Sequence, residues 1–194
     1  GCDEVCESDL EFDECGVCGG SGPEEGFTCS GFELLSIPFY DNQNYIASGF
    51  FHRVVIYSDG TVSAWGENSQ GQSNVPGGLS DMVAVAAEGR HSLALHSNGT
   101  VIAWGSNSAG ESNVPGGLSD VVSITAGRTH SMALHSNGTV TAWGQNSYGQ
   151  SNVPGGLSDV VAIAGGTYHS LALHSDGTVT SWGHNNYGQS NTAG

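Results

Sequence analysis

The sequence carries very little positive charge. Its 194 residues contain no lysine and three arginines (Arg53, Arg90 and Arg128), against 19 aspartates and glutamates, which gives a formal net charge of −16 with neutral histidines. Nucleic-acid binding requires a basic surface whose cations replace the phosphate counterions. We therefore expect no nucleic-acid partner.

Long apolar runs are also absent, and no cysteine follows residue 29. No segment approaches the roughly 20 apolar residues of a membrane-spanning helix, so no membrane span is predicted. The five cysteines are Cys2, Cys6, Cys15, Cys18 and Cys29. Their clustering in an acidic segment with few apolar residues indicates a disulfide-stapled module from an oxidising compartment. We expect a secreted, extracellular or cell-surface protein whose export signal has been removed.

The cysteine segment leaves several alternatives open. Cys15 and Cys18 also fit half of a zinc site, with Cys2 and Cys6 as the second pair, although the acidic context favours disulfides. Two bridges leave one thiol available to another chain, and five choices of that thiol times three pairings give fifteen arrangements. We predict no cofactor, with calcium at the acidic amino-terminal segment as the alternative.

The rest of the chain is a tandem repeat with a period of 39 residues. Four tryptophans, four histidines and four Asx-Gly pairs recur at this spacing. We expect these tryptophans and histidines to pack between repeats; they are Trp65, Trp104, Trp143, Trp182, His52, His91, His130 and His169. We place a spacer at 1–30, a connector at 31–41 and repeats at 42–80, 81–119, 120–158 and 159–194. The second and third repeats share 27 of 39 residues, so they should adopt one structure.

Each repeat reads as three short strands and no helix. In the second repeat we predict strands at Val83–Ala87, Ser92–Ser97 and Thr100–Gly105. The pair Asn98-Gly99 tolerates positive φ and predicts a type I′ hairpin. The stretch NSAGESNVPGGLSD has no periodic apolar face and is predicted to connect two sheets.

Apolar residues occupy both faces of these strands, so each sheet must be covered on both sides by its neighbours. Small residues such as Ala94 and Ala103 suit close contacts between sheets, and Trp104 suits the remaining gap. This pattern is typical of a β-propeller or a related solenoid of stacked all-β units.

The string HSLALHSNGTVIAWGSNSAGESNVP and its counterparts resemble the RCC1 repeat over residues 42–194. The short unit is similar to the bacterial branch of that family with three-stranded blades, which includes a secreted inhibitor protein. The resemblance implies an RCC1-like propeller, in which seven blades close the ring. Four repeats cover four-sevenths of that ring, so we expect an open or partial propeller that is completed by oligomerisation or by further chain. A tighter four-bladed ring is the third alternative. The stretch DECGVCGGSGPEEGFTC is similar to acidic, cysteine-rich spacers of marine bacterial surface proteins.

The repeated histidines do not predict a metal site. His91 and His96 are five residues apart on a strand, so their side chains point to opposite faces. We interpret His91, His130 and His169 as structural groups that bond backbone within a blade, and His96, His135 and His174 as solvent-facing. The serines of the His-Ser pairs recur in each later repeat, whereas a catalytic group is normally unique, so we predict no enzyme.

The repeats vary at one position of the tail that follows each Trp-Gly pair. Gln70, Ala109, Tyr148 and Tyr187 occupy this position as candidate binding-loop tips, because varied residues on a fixed scaffold suit recognition. From these features we expect a structural or adhesive protein that self-assembles through its repeats as a homo-oligomer, filament or appendage component. The alternative is a module that binds a protein or glycan through its loop tips.

Overall fold

The computed structural model describes residues 45–191, which form four three-stranded antiparallel sheets, here called blades 1 to 4. The strands are β1 (Ile46–Ser48), β2 (His52–Ile56) and β3 (Val62–Gly66) in blade 1; β4 (Met82–Glu88), β5 (His91–His96) and β6 (Val101–Gly105) in blade 2; β7 (Val121–Ala126), β8 (His130–His135) and β9 (Val140–Gly144) in blade 3; and β10 (Val160–Gly165), β11 (His169–His174) and β12 (Val179–Gly183) in blade 4. This part of the chain contains no helix, which confirms the all-β, RCC1-like prediction. The five cysteines and the alternative calcium ligands lie outside the described residues.

Within each blade, each strand pairs with the next strand along the chain, because short turns join them. In blade 2 the central strand β5 places Leu93 opposite Ala86 of β4 and Ala103 of β6. The predicted strands of this repeat agree with the observed ones to within one residue at each end. The stretch between β6 and β7 forms turns without a strand, as predicted.

The hairpin turn is not of type I′, so that prediction is wrong. Gly99 has a φ of +82°, but Asn98 is not among the described residues with positive φ. The Gly99 amide donates to the His96 carbonyl at 2.9 Å, and the His96 amide donates to the Thr100 carbonyl at 2.9 Å. This pattern is a three-residue loop that ends in a glycine bulge. The Asn98 side chain favours it because Asn98 Oδ1 accepts from the Thr100 amide at 3.0 Å.

Neighbouring blades bury each other's apolar faces. We call the side of a blade that meets the following blade its rear face and the opposite side its front face. Leu93 and Leu95 on the rear face of blade 2 pack with Ile124, Ala133 and Trp143 on the front face of blade 3. Equivalent clusters join blades 1 and 2 and blades 3 and 4. The sheets form an open, partial propeller, and the predicted tryptophan fills the gap at each junction between blades.

One backbone carbonyl at each junction accepts two hydrogen bonds from the following blade. The Gln72 carbonyl of blade 1 accepts from Ser92 Oγ at 3.0 Å and from Trp104 Nε1 at 2.9 Å. The Glu111 and Gln150 carbonyls do the same at the next two junctions. Gly105 permits this approach, because a Cβ at this position would lie 3.0 Å from the Gln72 Cα. The Trp-Gly and His-Ser motifs therefore serve one interface. The Trp and the Ser donate to the carbonyl, and the Gly leaves room for its close approach.

The histidines that recur every 39 residues form hydrogen bonds with a serine of the next blade. The prediction that they bond the backbone within their own blade is therefore wrong. His52 Nε2 lies 2.9 Å from Ser92 Oγ, and His91 and His130 make the same contact with Ser131 and Ser170. Each serine has one hydroxyl proton and donates it to the shared carbonyl. The histidine must therefore donate from Nε2, which fixes the neutral tautomer with a bare Nδ1.

Burial keeps these histidines uncharged. It lowers the pKa of His91 to about 4 and that of His130 to about 4, and it also lowers the pKa of His52. Protonation would add a proton at Nδ1, which has no hydrogen-bond partner in His52, His91 or His130. The folded array therefore resists the charged form of each ring.

Two residues predicted to pack between repeats lie at the ends of the described array and do not do so. Trp65 is 52% exposed, whereas its three counterparts are each 7% exposed, because no described blade covers the front face of blade 1. His169 is half-buried, because no described blade follows blade 4. The prediction of packing between repeats is therefore wrong only for Trp65 and His169, at the two ends of the described array.

The histidines beside the turns are half-buried rather than solvent-facing. His135 Nδ1 lies 2.8 Å from the Ser119 carbonyl oxygen, and its Nε2 lies 2.8 Å from Thr141 Oγ1. His174 makes the equivalent two contacts in blade 4. These rings tie the start of a repeat to its own third strand, which a strand pattern alone does not indicate.

Glycines that differ in φ and in the space around an added side chain predict a graded loss of stability on alanine substitution. Gly99→Ala should destabilise the fold by more than about 1 kcal/mol, because it combines positive φ with a Cβ that would lie 3.1 Å from the Asp120 amide nitrogen. Gly117→Ala, with positive φ and no atom within 4 Å, should lose only the conformational part. Gly116→Ala has neither constraint and should change the free energy of unfolding by less than about 0.5 kcal/mol. Urea unfolding of the three variants measures this order, and equal losses would contradict it.

The lowered histidine pKa values predict acid destabilisation. The unfolded chain binds protons below a pKa of 6.5, whereas His91 and His130 bind them in the folded state only near pH 4. The free energy of unfolding should therefore fall as the pH drops from about 6.5 to about 4. The double variant His91→Gln/His130→Gln should show a flatter dependence over this window in urea titrations. An unchanged slope would show that other groups cause the acid sensitivity.

Candidate functional site

The tail after each third strand is a rigid loop that holds the predicted tip residue outward. In blade 1, Gln72 Oε1 accepts from the Gln70 amide at 2.9 Å, and Asn68 Oδ1 accepts from the Ser73 amide at 3.0 Å. The same side-chain to backbone bonds recur in the other three tails. The carbonyl that receives the next blade thus belongs to the residue whose side chain orders the tip. Sequence reasoning named these tails but missed the role of their buried glutamine or glutamate.

In blades 1 and 2, the residue two positions after the Trp, at the start of the tail, is matched to this buried side chain. Glu67 Oε2 accepts from Gln72 Nε2 at 3.0 Å in blade 1. In blade 2 the direction of the bond is reversed, because Ser106 Oγ donates to Glu111 Oε1 at 2.6 Å. In blade 3, by contrast, Gln150 Nε2 has no hydrogen-bond partner among the described residues. The variation at these two positions is therefore compensated locally in blades 1 and 2.

Aromatic rings and an arginine form a continuous strip on the face that carries the tails. The Arg128 guanidinium carbon lies 5.5 Å from the Phe50 ring centroid and 5.6 Å from that of Tyr168. Arg128 Nη1 also donates to the Tyr168 hydroxyl at 2.7 Å. Tyr148 lies 5.2 Å from Tyr168, measured between ring centroids. We call the surface formed by Phe50, Phe51, Arg90, Arg128, Tyr148, Tyr168, His184 and Tyr187 the arginine–aromatic face.

The strip continues into blade 4 through His184. The His184 ring centroid lies 4.7 Å from that of Tyr148 and 6.2 Å from that of Tyr187. Tyr187 is 91% exposed, and Tyr148 and both phenylalanines are also exposed. Large aromatic side chains are rarely left in solvent as a contiguous set without a binding role. The face therefore has the composition of a recognition surface.

A depression of about 560 Å³ lies within this face, lined by Phe50, Phe51, Gln70, Gly89, Arg90, Ser106, Ser108, Arg128 and Thr129. It spans residues of blades 1, 2 and 3, so it exists only in the stacked array. Arg90 is held loosely, with Nε 3.9 Å from Glu67 Oε2. Two of the three arginines of this acidic chain thus line one depression. The site favours a ligand group that carries negative charge beside an apolar surface.

Three of the four predicted tip residues lie on the arginine–aromatic face or line its depression, and one does neither. Tyr148 and Tyr187 belong to the arginine–aromatic face, and Gln70 lines the depression. Ala109 is half-buried and is not among the residues that line the depression. Sequence reasoning missed Phe50, Phe51, Arg90, Arg128, Tyr168 and His184. The segment just before each repeated histidine varies among the repeats as the tails do, and this signal could have found most of them.

A metal site and a membrane-spanning helix are two other features that residues 45–191 could contain. No cluster of three or more His, Cys, Asp or Glu residues there could hold a metal ion. No helix in the same range is long and apolar enough to cross a membrane. The face described above is therefore the candidate site for the described part of the chain.

A sequence model of the Regulator of chromosome condensation (RCC1) repeat matches residues 45–72, 82–111, 121–150 and 160–189. Yeast RCC1 (Prp20), solved bound to Kap60, has a TM-score of 0.61 and 24% identity over 71% of this chain and 43% of that chain. Prp20p from Saccharomyces cerevisiae has a TM-score of 0.58 and 26% identity over 70% of this chain and 42% of that one.

The ectodomain of the receptor kinase CR4 from Physcomitrella patens has a TM-score of 0.58 and 28% identity over 72% of this chain and 40% of that one. This chain thus spans about two fifths of the length of these solved structures. A comparison with curated protein sequences finds no match.

The matched pairs in the tails predict a double-mutant cycle. Gln72→Glu should place a carboxylate against Glu67 and cost about 2 kcal/mol or more, because two like charges then share a largely buried site. Adding Glu67→Ser recreates the Ser106–Glu111 pair and should recover most of that loss. Urea unfolding of the two single variants and the double variant measures the coupling. Additive losses would show that the two positions act independently.

Proposed function

Because this chain belongs to the RCC1 repeat family, we propose that its repeat array is an extracellular, non-enzymatic binding module that captures a protein partner on the arginine–aromatic face. The observation that carries the proposal is the continuous exposed strip from Phe50 through Arg128 to Tyr187. The scaffold beneath it is nearly invariant, whereas the strip differs from blade to blade. Such a division suits a fixed fold that presents a specific surface.

Related structures support a protein as the partner. Yeast RCC1 (Prp20) was solved bound to Kap60, and Prp20p from Saccharomyces cerevisiae has binding properties to Gsp1p and histones. Those partners belong to those proteins and are not assigned to this chain. What is transferred is the class of function, which is binding of another protein by an RCC1-type propeller.

The chemistry of the face supports the same class of partner. Tyrosine and arginine are enriched at the centres of protein interfaces, where they contribute much of the binding energy. Arg90 and Arg128 are two of the three arginines of a chain that has no lysine and a net charge of −16. We propose that they receive a carboxylate of the partner, while the surrounding rings cover its apolar side chains. The overall charge disfavours partners that are strongly acidic throughout.

The buried histidine–serine pairs do not support an enzymatic role. His91 Nε2 and Ser131 Oγ lie 2.9 Å apart, which is the spacing of a nucleophile and its base. Here, however, the serine hydroxyl accepts a hydrogen bond from the histidine and donates one to a carbonyl, and both side chains are fully buried. The cysteine-rich amino-terminal segment supports the extracellular location, since such segments are typical of oxidising compartments.

A second candidate function is self-assembly into a structural or adhesive component at the cell surface. The observation that favours it is the exposure of apolar residues at both ends of the described array, such as Trp65 and Leu173. Unpaired apolar surfaces of this kind favour association. Trp65 and Leu173 lie outside the arginine–aromatic face, so substitutions at these two residues test the second candidate separately from the first.

Selection from a library of random displayed peptides tests the binding proposal. The selected peptides should contain carboxylates and apolar residues, and their affinity should fall at least about tenfold in Arg128→Ala and in Tyr148→Ala. Titration calorimetry with one synthesised peptide measures this loss.

Tyr57→Ala is the matched control, because Tyr57 is an exposed tyrosine at the opposite end of β2. It should leave the affinity unchanged. Peptides that bind the double variant Tyr148→Ala/Tyr187→Ala as tightly as the wild-type chain would refute the proposed face.

A further inference from the structure

The two ends of the described array expose the two halves of the same interface. Leu173 on the rear face of blade 4 is 39% exposed, whereas its counterparts Leu95 and Leu134 are 1% and 2% exposed. Ile46 on the front face of blade 1 is 68% exposed, whereas its counterparts Val85 and Ile124 are 0% and 2% exposed. Blade 4 thus exposes the rear face that an inner blade packs against the following blade. Blade 1 exposes the front face that an inner blade packs against the preceding blade.

The polar groups of the junction are present at these ends as well. Blade 4 carries His169 and the Gln189 carbonyl, at the positions where His130 and the Gln150 carbonyl bond the next blade. Among residues 45–191, nothing donates to the Gln189 carbonyl. Blade 1 carries Trp65 and Gly66 at the positions of Trp104 and Gly105, which receive the Gln72 carbonyl and Cα.

The receiving half on blade 1 is an open depression. It measures about 350 Å³ and is lined by Phe50, Phe51, Arg53, Trp65 and Gly66. At the inner junctions, the tail that ends in Gln72, Glu111 or Gln150 contacts the equivalent Trp-Gly pair. The depression therefore lies where a preceding tail would pack, and Trp65 supplies its hydrogen-bond donor. It can receive the tail that ends in Gln189.

From these complementary halves, we infer that the rear face of blade 4 in one copy docks on the front face of blade 1 in a second copy. Trp65 Nε1 then donates to the Gln189 carbonyl of the docked tail, and Leu171 and Leu173 cover Ile46 and Trp65. The interface continues the three junctions already present within the chain. This inference rests on the proposed self-assembly and specifies its surfaces and its head-to-tail polarity.

Arg53 departs from the hydrogen-bond pattern of the inner junctions. It replaces the serine that elsewhere accepts a hydrogen bond from histidine and donates one to the carbonyl. Arginine donates but cannot accept, so Arg53 leaves the His169 Nε2 donor without an acceptor. The junction between copies is therefore weaker than those within the chain. Arg53→Ser supplies the missing acceptor and should tighten it, even though the substitution makes the chain more negative.

Sedimentation velocity over a range of protein concentrations tests the inference on the full chain, with a reducing agent present so that intermolecular disulfides do not contribute. The wild-type chain should self-associate, and Arg53→Ser should lower the dissociation constant at least about tenfold. Trp65→Glu and Leu173→Glu should each abolish association, because each places a charge on one of the two docking faces.

The control is Tyr57→Glu. Tyr57 is 53% exposed, and it belongs neither to the cluster that joins blades 1 and 2 nor to the lining of the depression on blade 1. An equal mixture of Trp65→Glu and Leu173→Glu chains should form dimers, because each retains the half that the other has lost. A symmetric interface between two copies of one face would not give this complementation.

The outcomes separate the inference from the function on which it rests. Association that survives Trp65→Glu and Leu173→Glu would overturn head-to-tail docking and leave self-assembly in place. A wild-type chain that stays monomeric at all concentrations would overturn both. The docking depression shares Phe50 and Phe51 with the arginine–aromatic face, but Trp65 and Leu173 lie outside that face. Neither result therefore decides whether a partner binds at Arg128 and Tyr148.

Discussion

The shared carbonyl at each blade junction is the contact on which the rest of the structure depends. Ser92 and Trp104 both donate to the Gln72 carbonyl, and this pattern recurs at the two following junctions. A three-stranded sheet of this size buries too little apolar surface to be stable alone. The bonds to the carbonyl set the register in which the apolar faces of adjacent sheets meet. The histidine that donates to the serine must be neutral, which links the stacking of the blades to pH.

The same junction explains how the candidate site tolerates variation. The residue that supplies the shared carbonyl also orders its tail, because its side chain accepts a hydrogen bond from the backbone amide of the tip residue. The side chain of the tip residue is not needed for this bond. Tyr148 and Tyr187 are therefore free to differ from Gln70 and Ala109. The variable segments before each histidine lie beside these tails, and together they form the arginine–aromatic face. The proposed binding face thus lies where the scaffold does not require a particular residue type.

Much of the fold follows from the sequence because the 39-residue period repeats every structural requirement. The positions of the tryptophans, the histidines and the Asx-Gly turns predict three strands per repeat and stacking between repeats. The type I′ turn was wrong because the Asn98 side chain bonds the Thr100 amide and leaves positive φ to Gly99 alone. A dipeptide does not reveal which of two local hydrogen-bond patterns is formed. The partner of each histidine was also missed, because it lies 40 residues away on another sheet.

The sequence by itself determined the all-β class, the number of repeats and the tryptophans at the inner junctions, because these depend on local periodicity and on apolar residues at fixed spacing. It also placed two of the aromatic tips. Only the tertiary structure decided that Phe50, Arg128 and Tyr168 belong to one surface, since they come from three different blades and meet only when the blades stack. It likewise decided that Trp65 and Leu173 lie at open ends, because burial depends on whether a neighbouring blade is present and not on the residue type.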